Sequence, residues 1–221
     1  MKGKELFPLA VLFSCLFSFN GCDFPDDPPL KNGRQEPEPV VEIDSARSLL
    51  PLRTGNFWQY LVIPRDGIPQ PLVLCPATET TYDGVTYYEL KYLYFCPSNY
   101  AETIAAFPPV LRWHAGGLSF HEHLSPLDTA SVRTPRLMYT LPYPAPVGTR
   151  VENRRSEYTV VVAAKDTLIP NFNGTASYRC YRYDLSFRNR PASRIYAIPG
   201  SALLRIEKGD LVFHTTDWVV K

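Results

Sequence analysis

Short apolar segments separated by prolines and glycines run through most of this chain and restrict it to a fold made of strands. Proline supplies 22 of the 221 residues, about twice its usual share of ~5%. Between these breaks, apolar residues alternate with polar ones or form short runs rich in Tyr, Val, Leu and Phe, as in the segment 56–63. Segments of this length and composition predict strands rather than helices.

Turn signals between neighbouring segments predict antiparallel hairpins. They lie at 83–84, 116–117 and 208–210, and the segments 149–168 and 175–187 have the pattern of two long strands. The chain is therefore predicted to be all-β and antiparallel, with about ten or eleven strands. A β-sandwich and a curved, half-closed barrel both fit, because periodicity does not distinguish them.

The first 21 residues have the features of a bacterial lipoprotein signal peptide ending before Cys22. Lys2 and Lys4 form a positive start, followed by 14 mostly apolar residues at 6–19. This stretch has the length of a secretory signal core and is shorter than the ~20 residues of a membrane-spanning helix. Gly21 before Cys22 resembles a lipobox, which makes Cys22 the lipidated N-terminus. Ordinary secretory cleavage and an uncleaved anchor are the alternatives.

Residues 22–44 are predicted to form an acidic, proline-rich tether. Positions 23–44 hold seven acidic residues and five prolines, a composition that cannot bury enough apolar surface to fold. Residues 45–221 suffice for a single β domain with its own core. Without the signal peptide the chain has 21 basic and 21 acidic residues. Its net charge therefore gives no general attraction to nucleic acid, and no nucleic-acid partner is expected.

Several short motifs are similar to those of a family of uncharacterised, Bacteroidota-like bacterial lipoproteins. The segment 51–60 carries the opening pattern Pro-Leu-x-x-Gly-Asn-x-Trp-x-Tyr, and the segments 84–88, 137–142 and 174–181 carry further motifs. The segment 196–202 departs from the family pattern by having alanine at its last position. The resemblance implies a lipoprotein and a β fold. It brings no known activity and no functional residues.

The histidines near the middle of the chain are the most conspicuous polar cluster. Residues two apart on a strand share a face, so His121 and His123 are candidate ligands of one metal ion, with His114 as a third. The alternative is an exposed segment that is merely polar, and no metal cofactor is expected. Neither an HExxH nor a GxSxG motif is present. The chain is therefore predicted not to be an enzyme and to carry no cofactor.

Three cysteines remain in the processed chain besides the lipidated one. A disulfide between Cys75 and Cys96 is a candidate because exported proteins form disulfides, and Cys180 is then a buried free thiol. A two-residue turn at 83–84 places Cys75 opposite Tyr92. The disulfide therefore requires a bulge or a longer loop.

Aromatic and basic residues form stripes along two predicted strands. Positions 88–94 and 181–187 place alternate aromatic side chains on one face, which is typical of a core. The second of these strands also carries Arg179 and Arg182, and Arg188, Arg190 and Arg194 follow it. This basic run fits a phosphate-bearing glycolipid, and a solvated loop is the alternative.

Together these features predict an envelope lipoprotein that is anchored to the outer membrane by a lipid on Cys22. The protein faces either the periplasm or the cell surface. Its non-enzymatic β domain is expected to bind a protein partner or to scaffold an envelope complex. The alternative is a carrier of a small lipid or glycan in a curved β-sheet. A concave cavity of roughly 300 Å³ or more would favour the carrier. A filled interior with an exposed patch would favour the partner.

Overall fold

The computed structural model describes residues 48–65, 67–82, 84–93, 106–122 and 135–221, which form a 12-stranded antiparallel sheet. Its strands are β1 (Phe57–Pro64), β2 (Gln70–Tyr82), β3 (Val85–Leu93), β4 (Val110–His114), β5 (Gly117–Glu122), β6 (Arg136–Pro142), β7 (Arg150–Asn153), β8 (Tyr158–Pro170), β9 (Ser177–Phe187), β10 (Arg190–Ile198), β11 (Ala202–Lys208) and β12 (Leu211–Val219). The predicted all-β, antiparallel class is confirmed. In these ranges no helix is long and apolar enough to cross a membrane.

The strands form a meander whose first and last strands pair with each other. The order in the sheet is β6-β5-β4-β3-β2-β1-β12-β11-β10-β9-β8-β7. Phe57 opposes Val219 and Pro64 opposes Leu211 in the β1–β12 pair. Since neighbouring strands run in opposite directions, the odd-numbered strands finish and the even-numbered strands start at the same end of the sheet. We call this the lower end.

The sheet nearly closes on itself at a seam between β6 and β7. Asn153 donates through Nδ2 to two carbonyls of β6, at 2.9 and 3.2 Å. The Ser156 hydroxyl donates to the carbonyl of Met138. The Tyr183 hydroxyl donates to the carbonyl of Pro142 at 3.1 Å. These side chains satisfy edge carbonyls that would otherwise template another strand. Of the two predicted architectures, the curved barrel is the one that forms.

The strand count differs from the prediction because the segment 149–168 is interrupted. A turn after Asn153 separates β7 from β8. The side-chain oxygen of Asn153 accepts hydrogen bonds from the backbone N–H groups of Arg155 (3.1 Å) and Ser156 (3.4 Å). Glu157 then takes a positive φ of 59°. An asparagine that bonds the backbone two residues on is a common turn device, and here it turns one predicted strand into two.

A bulge in β2 changes the expected position of Cys75. The prediction placed it opposite Tyr92, whereas it lies opposite Lys91. The pairing shifts by one residue just after Pro76, which has no N–H to give to the ladder. The disulfide between Cys75 and Cys96 stays a prediction, because Cys96 lies outside the described residues.

Large aromatic side chains fill the interior of the sheet at mid-height. Trp58, Tyr60, Phe107 and Phe213 are each at most 2% exposed. The rings of Tyr60 and Phe107 lie 4.9 Å apart, and those of Phe107 and Phe213 lie 5.5 Å apart. The Trp58 indole donates to the carbonyl of Ser201 at 2.8 Å. The space left here is about 10 Å³, no more than the ~10–15 Å³ that one water requires.

A smaller apolar cluster lies on the opposite face of the sheet. It contains Ile169, Cys180, Tyr196, Ile198 and Leu204. Cys180 is a free thiol that is fully buried, as the sequence predicts. Burial raises the pKa of this thiol to about 12, so it stays protonated and unreactive near neutral pH.

Candidate binding site at the lower end of the sheet

An open recess of about 920 Å³ lies at the lower end of the sheet. Ligand sites in proteins commonly enclose about 300–1,000 Å³, so the recess is large enough for a small molecule or for part of a larger partner. It is formed where β8 to β12 start or end. Its lining residues are Tyr158, Phe187, Arg188, Arg190, Pro191, Ala192, Lys208, Gly209, Asp210 and Leu211.

Aromatic side chains form the apolar wall of the recess. The rings of Tyr158 and Phe187 lie 5.2 Å apart, and Tyr158 also lies 5.4 Å from the buried ring of Tyr139. Phe187 ends the aromatic stripe of β9 and is 38% exposed, whereas Tyr183 on the same strand is fully buried. Burial, and then the charge of Glu122, raise the pKa of Tyr158. Its hydroxyl therefore remains a hydrogen-bond donor at neutral pH.

Arg188 is held at the rim in an unusual backbone conformation. Arg188 and Asn189 have φ values of 49° and 60° in the two-residue turn between β9 and β10. Such turns match the twist of hairpins, but the left-handed conformation costs a non-glycine residue roughly 1–2 kcal/mol. The Arg188 side chain donates through Nε to Glu157 at 2.7 Å. Its guanidinium lies 5.1 Å from the centre of the Phe187 ring.

Arg190 is the second basic group of the rim and differs from the other arginines of this sheet region. It starts β10 opposite Phe187 and is exposed. Within the described part of the chain, its side chain makes no ion pair or hydrogen bond. Arg194, four residues on, bridges Asp184 at 3.2 Å and Glu207 at 3.0 Å. The predicted basic run is thus divided between a compensated face of the sheet and the recess.

Positive charge predominates around the recess. Among the described lining residues, the basic side chains of Arg188, Arg190 and Lys208 accompany the acidic side chain of Asp210. Clefts with one predominant sign of charge raise the local concentration of oppositely charged ligands. The recess is therefore suited to an anionic partner.

A second, smaller cavity lies at the seam and shares Tyr158 with the recess. It measures about 240 Å³. Leu137, Tyr139, Val151 and Val160 give it apolar walls, and its polar lining residues are Thr140, Glu152, Asn153, Arg154 and Arg155. Tyr158 therefore lines both the recess and a smaller pocket with apolar walls.

The histidine cluster of β4 and β5 forms a hydrogen-bonded chain. The Gly116 N–H donates to Nδ1 of His114 at 3.0 Å, so the proton of the neutral ring is on Nε2. That nitrogen lies 2.6 Å from the Ser119 hydroxyl, which lies 2.9 Å from the Thr140 hydroxyl. Burial, and then the charge of Arg112, lower the pKa of His114. His114 is therefore a donor to Ser119, the opposite of the role that a general base requires.

His121 lies apart from His114. Its Nδ1 donates to the carbonyl of Pro135 at 3.2 Å, and its buried Nε2 has no hydrogen-bond partner among the described residues. Burial is the main cause that lowers its pKa. His123 lies outside the described residues, so the proposed metal pair stays a prediction. Within the described part, no group of three metal-binding side chains occurs, and both ring nitrogens of His114 are engaged.

Sequence reasoning identified part of this site. Arg188 and Arg190 belong to the predicted basic run, and Phe187 ends the predicted aromatic stripe. Tyr158 was missed because it lay inside a predicted long strand, although in the structure it starts β8. The turn at 208–210 was predicted as a turn only. The order of the strands places this turn at the same end of the sheet as the 188–189 turn. Strand order is therefore the signal that could have grouped the two turns into one site.

No protein-family model matches this chain, and no curated protein is significantly similar to it. One solved structure is similar in fold, that of a Bacteroides fragilis protein described as having a YmcC-like fold and inferred to be exported. The two chains are 13% identical, with a TM-score of 0.42 over 79% of this chain and 100% of the other. This likeness supports no statement about function. Membership of the lipoprotein family remains a prediction.

Proposed function

We propose that this chain is a non-enzymatic protein of the cell envelope, anchored through a lipid on Cys22, whose β domain binds a partner in the recess. The single observation that carries the binding role is the basic, aromatic-walled recess of about 920 Å³. Arg190 and Phe187 stand exposed at its rim. An exposed apolar surface beside uncompensated charge marks a site of interaction.

A carrier of a small lipid or glycan is the second candidate function. The aromatic interior leaves a space of about 10 Å³, which holds no such ligand. A carrier would therefore hold its ligand in the recess, and the volume of the recess favours this second candidate. Both functions use the same residues.

Support for a non-enzymatic role comes from the Ser119–His114 pair. Ser119 is 2% exposed and receives a hydrogen bond from His114, so its hydroxyl is not activated for attack. Support for the anchor comes from the signal peptide and from Cys22. Three acyl chains would hold the protein stably, since two or more are needed for lasting membrane attachment.

The anchor is tested by mass spectrometry of the N-terminus of the processed protein, with Cys22→Ala as the comparison. We expect an acylated Cys22 in the wild type and release of the Cys22→Ala protein from the membrane fraction. An unacylated wild-type N-terminus would refute the anchor.

The binding role is tested by photo-crosslinking in intact cells. A benzophenone amino acid replaces Arg190 in one variant and Arg179 in the control. Arg179 is also exposed and pairs only distantly with Asp166, at 3.9 Å. We expect a specific adduct from position 190 and none from position 179. Equal adducts at both positions, or none at either, would contradict binding in the recess.

A further inference from the structure

We propose that the recess binds the phosphate-bearing headgroup of a membrane lipid, with the adjoining part of an acyl chain in the seam cavity. This inference rests on the proposed function, because it names the partner of the same recess. Its basis is the juxtaposition of basic residues, among them Arg190 with no ion pair within the described residues, and apolar walls around Tyr158.

The charged part of the ligand follows from the rim. The Arg190 side chain has no ion pair within the described residues and stands beside Lys208 and Arg188 in the lining. Arg188 uses Nε for Glu157, which leaves its terminal N–H groups for another acceptor. Guanidinium groups bind phosphate oxygens through paired N–H donors. A neutral glycan would leave the charge of Arg190 uncompensated.

The apolar part of the ligand follows from the walls. Phe187 is 38% exposed at the recess, and Leu211 also lines it. Tyr158 lines both the recess and the seam cavity, so a ligand seated against Tyr158 can contact the basic residues of the recess and the apolar walls of both cavities. Inorganic phosphate would contact the basic residues and leave the apolar walls uncovered. An amphiphile contacts both.

The backbone of the rim supports a binding role for Arg188. A glycine or an asparagine adopts the left-handed conformation more readily than arginine. The strained position nevertheless carries arginine, with its guanidinium over Phe187. Residues in such conformations concentrate at ligand sites, where the surrounding structure holds them.

The test is a calorimetric titration of the mature chain from residue 22, carrying Cys22→Ala so that no acyl group competes. The probes are dodecyl phosphate, dodecyl maltoside and inorganic phosphate, with both amphiphiles kept below their micelle concentrations. We expect dodecyl phosphate to bind at least tenfold more tightly than either of the other probes.

Three variants locate the site. Arg188→Gln with Arg190→Gln should weaken dodecyl phosphate at least tenfold. Phe187→Ser should weaken it severalfold without changing the weak binding of inorganic phosphate. Arg150→Gln with Arg179→Gln removes two other exposed arginines and should have no effect. Circular dichroism and thermal unfolding verify that each variant is folded.

Several results would overturn the proposal. Equal affinity for dodecyl maltoside would show an apolar site only, and equal affinity for inorganic phosphate would show an anion site only. Unchanged affinity in the recess variants, or no binding of dodecyl phosphate, would also refute it. A protein adduct from position 190 in cells, together with no binding of dodecyl phosphate, would leave the proposed function intact and remove the lipid.

Discussion

The middle of the sheet and its lower end use the same strands for opposite purposes. Along β9, Tyr183 is fully buried and bonded to the carbonyl of Pro142, whereas Phe187, four residues further on, is 38% exposed. At mid-height, Phe107 and Phe213 fill the space between strands, while the lower end keeps a recess of about 920 Å³. Alternation along a strand therefore specifies which residues face inward. Whether these residues are buried in the core or line a binding site depends on the side chains that the other strands place beside them.

Because of this difference, we expect the stability of the fold and the binding of a ligand to depend on different residues. Substitutions at mid-height should change the free energy of unfolding and leave the exposed rim unaltered. Substitutions at the rim should change binding and leave stability nearly constant, since exposed positions contribute little to it.

The largest effect is expected from Phe213→Ala. This change leaves a cavity beside Phe107 and should lower the free energy of unfolding by about 3–5 kcal/mol, as measured by chemical denaturation. The matched variant Phe187→Ala, at the partly exposed rim, should lower it by less than about 1 kcal/mol. Equal losses would show that the recess wall is as much a part of the core as the middle of the sheet.

A loss of about 3 kcal/mol is expected for Gly117→Ala, from backbone strain and overpacking. Gly117 has a φ of 131°, and an added Cβ would lie 2.1 Å from the carbonyl oxygen of Leu141. Gly148→Ala is the control because its φ is 90° but no atom lies within 4 Å of the added Cβ. If thermal unfolding shows the same loss of stability for both variants, the loss at Gly117 results from its backbone conformation and not from close packing.

The seam should be of intermediate importance. Asn153→Ala removes the side-chain donor of the Leu137 carbonyl and leaves the Met138 carbonyl with Ser156 alone, and it should cost about 1–2 kcal/mol. Hydrogen exchange should become faster in β6 and β7 while the β1–β12 pair stays protected. Unchanged exchange at β6 would mean that Asn153 does not hold the seam closed.

A pH dependence is expected from His121. Burial lowers its pKa in the folded protein below the ordinary 6.5, so the unfolded chain takes up a proton first as the pH falls. Stability is therefore fully present above pH ~6.5 and decreases below it, by at most ~1.4 kcal/mol per pH unit for one group. His121→Gln should flatten this dependence between pH 7 and 5.5 in denaturation experiments. An equally steep dependence in the variant would assign it to other groups.

The smallest change in stability is expected at the rim. Arg188→Gly relieves a positive φ of 49° and should raise the free energy of unfolding by about 0.5–1 kcal/mol. It should also weaken binding in the recess. A variant that is both less stable and fully active in binding would show that arginine is present at this position for structural reasons.

Much of the fold could be predicted from the sequence because turns and alternation are local signals. The hairpins at 116–117 and 208–210 form where glycine permits them. The interruption at 154–157 was not predicted, because it depends on hydrogen bonds from the backbone N–H groups of Arg155 and Ser156 to the Asn153 side chain. The β2 bulge was also missed, although Pro76 provides its physical cause. The pairing of β1 with β12 joins residues far apart in the chain, which no local pattern reveals.

The candidate site was only partly predictable for a related reason. Arg188, Arg190 and Phe187 are close in sequence and were visible as a basic run after an aromatic stripe. Tyr158 and the 208–211 turn join them only when the strands are ordered in the sheet. Arg194 has acidic partners, whereas Arg190 has no ion pair within the described residues. This difference depends on which side chains the neighbouring strands place beside each arginine.

We expect ligands to bind at the open lower end of the sheet and not in the filled interior. A nuclear magnetic resonance titration of the mature Cys22→Ala chain with dodecyl phosphate tests this most directly. The amides of 188–192 and 208–211 report on the recess, and the Trp58 indole N–H, bonded to Ser201 at 2.8 Å, reports on the interior. We predict saturable shifts at the recess amides with the Trp58 indole unchanged. Shifts of the Trp58 indole with unchanged recess amides would contradict the account.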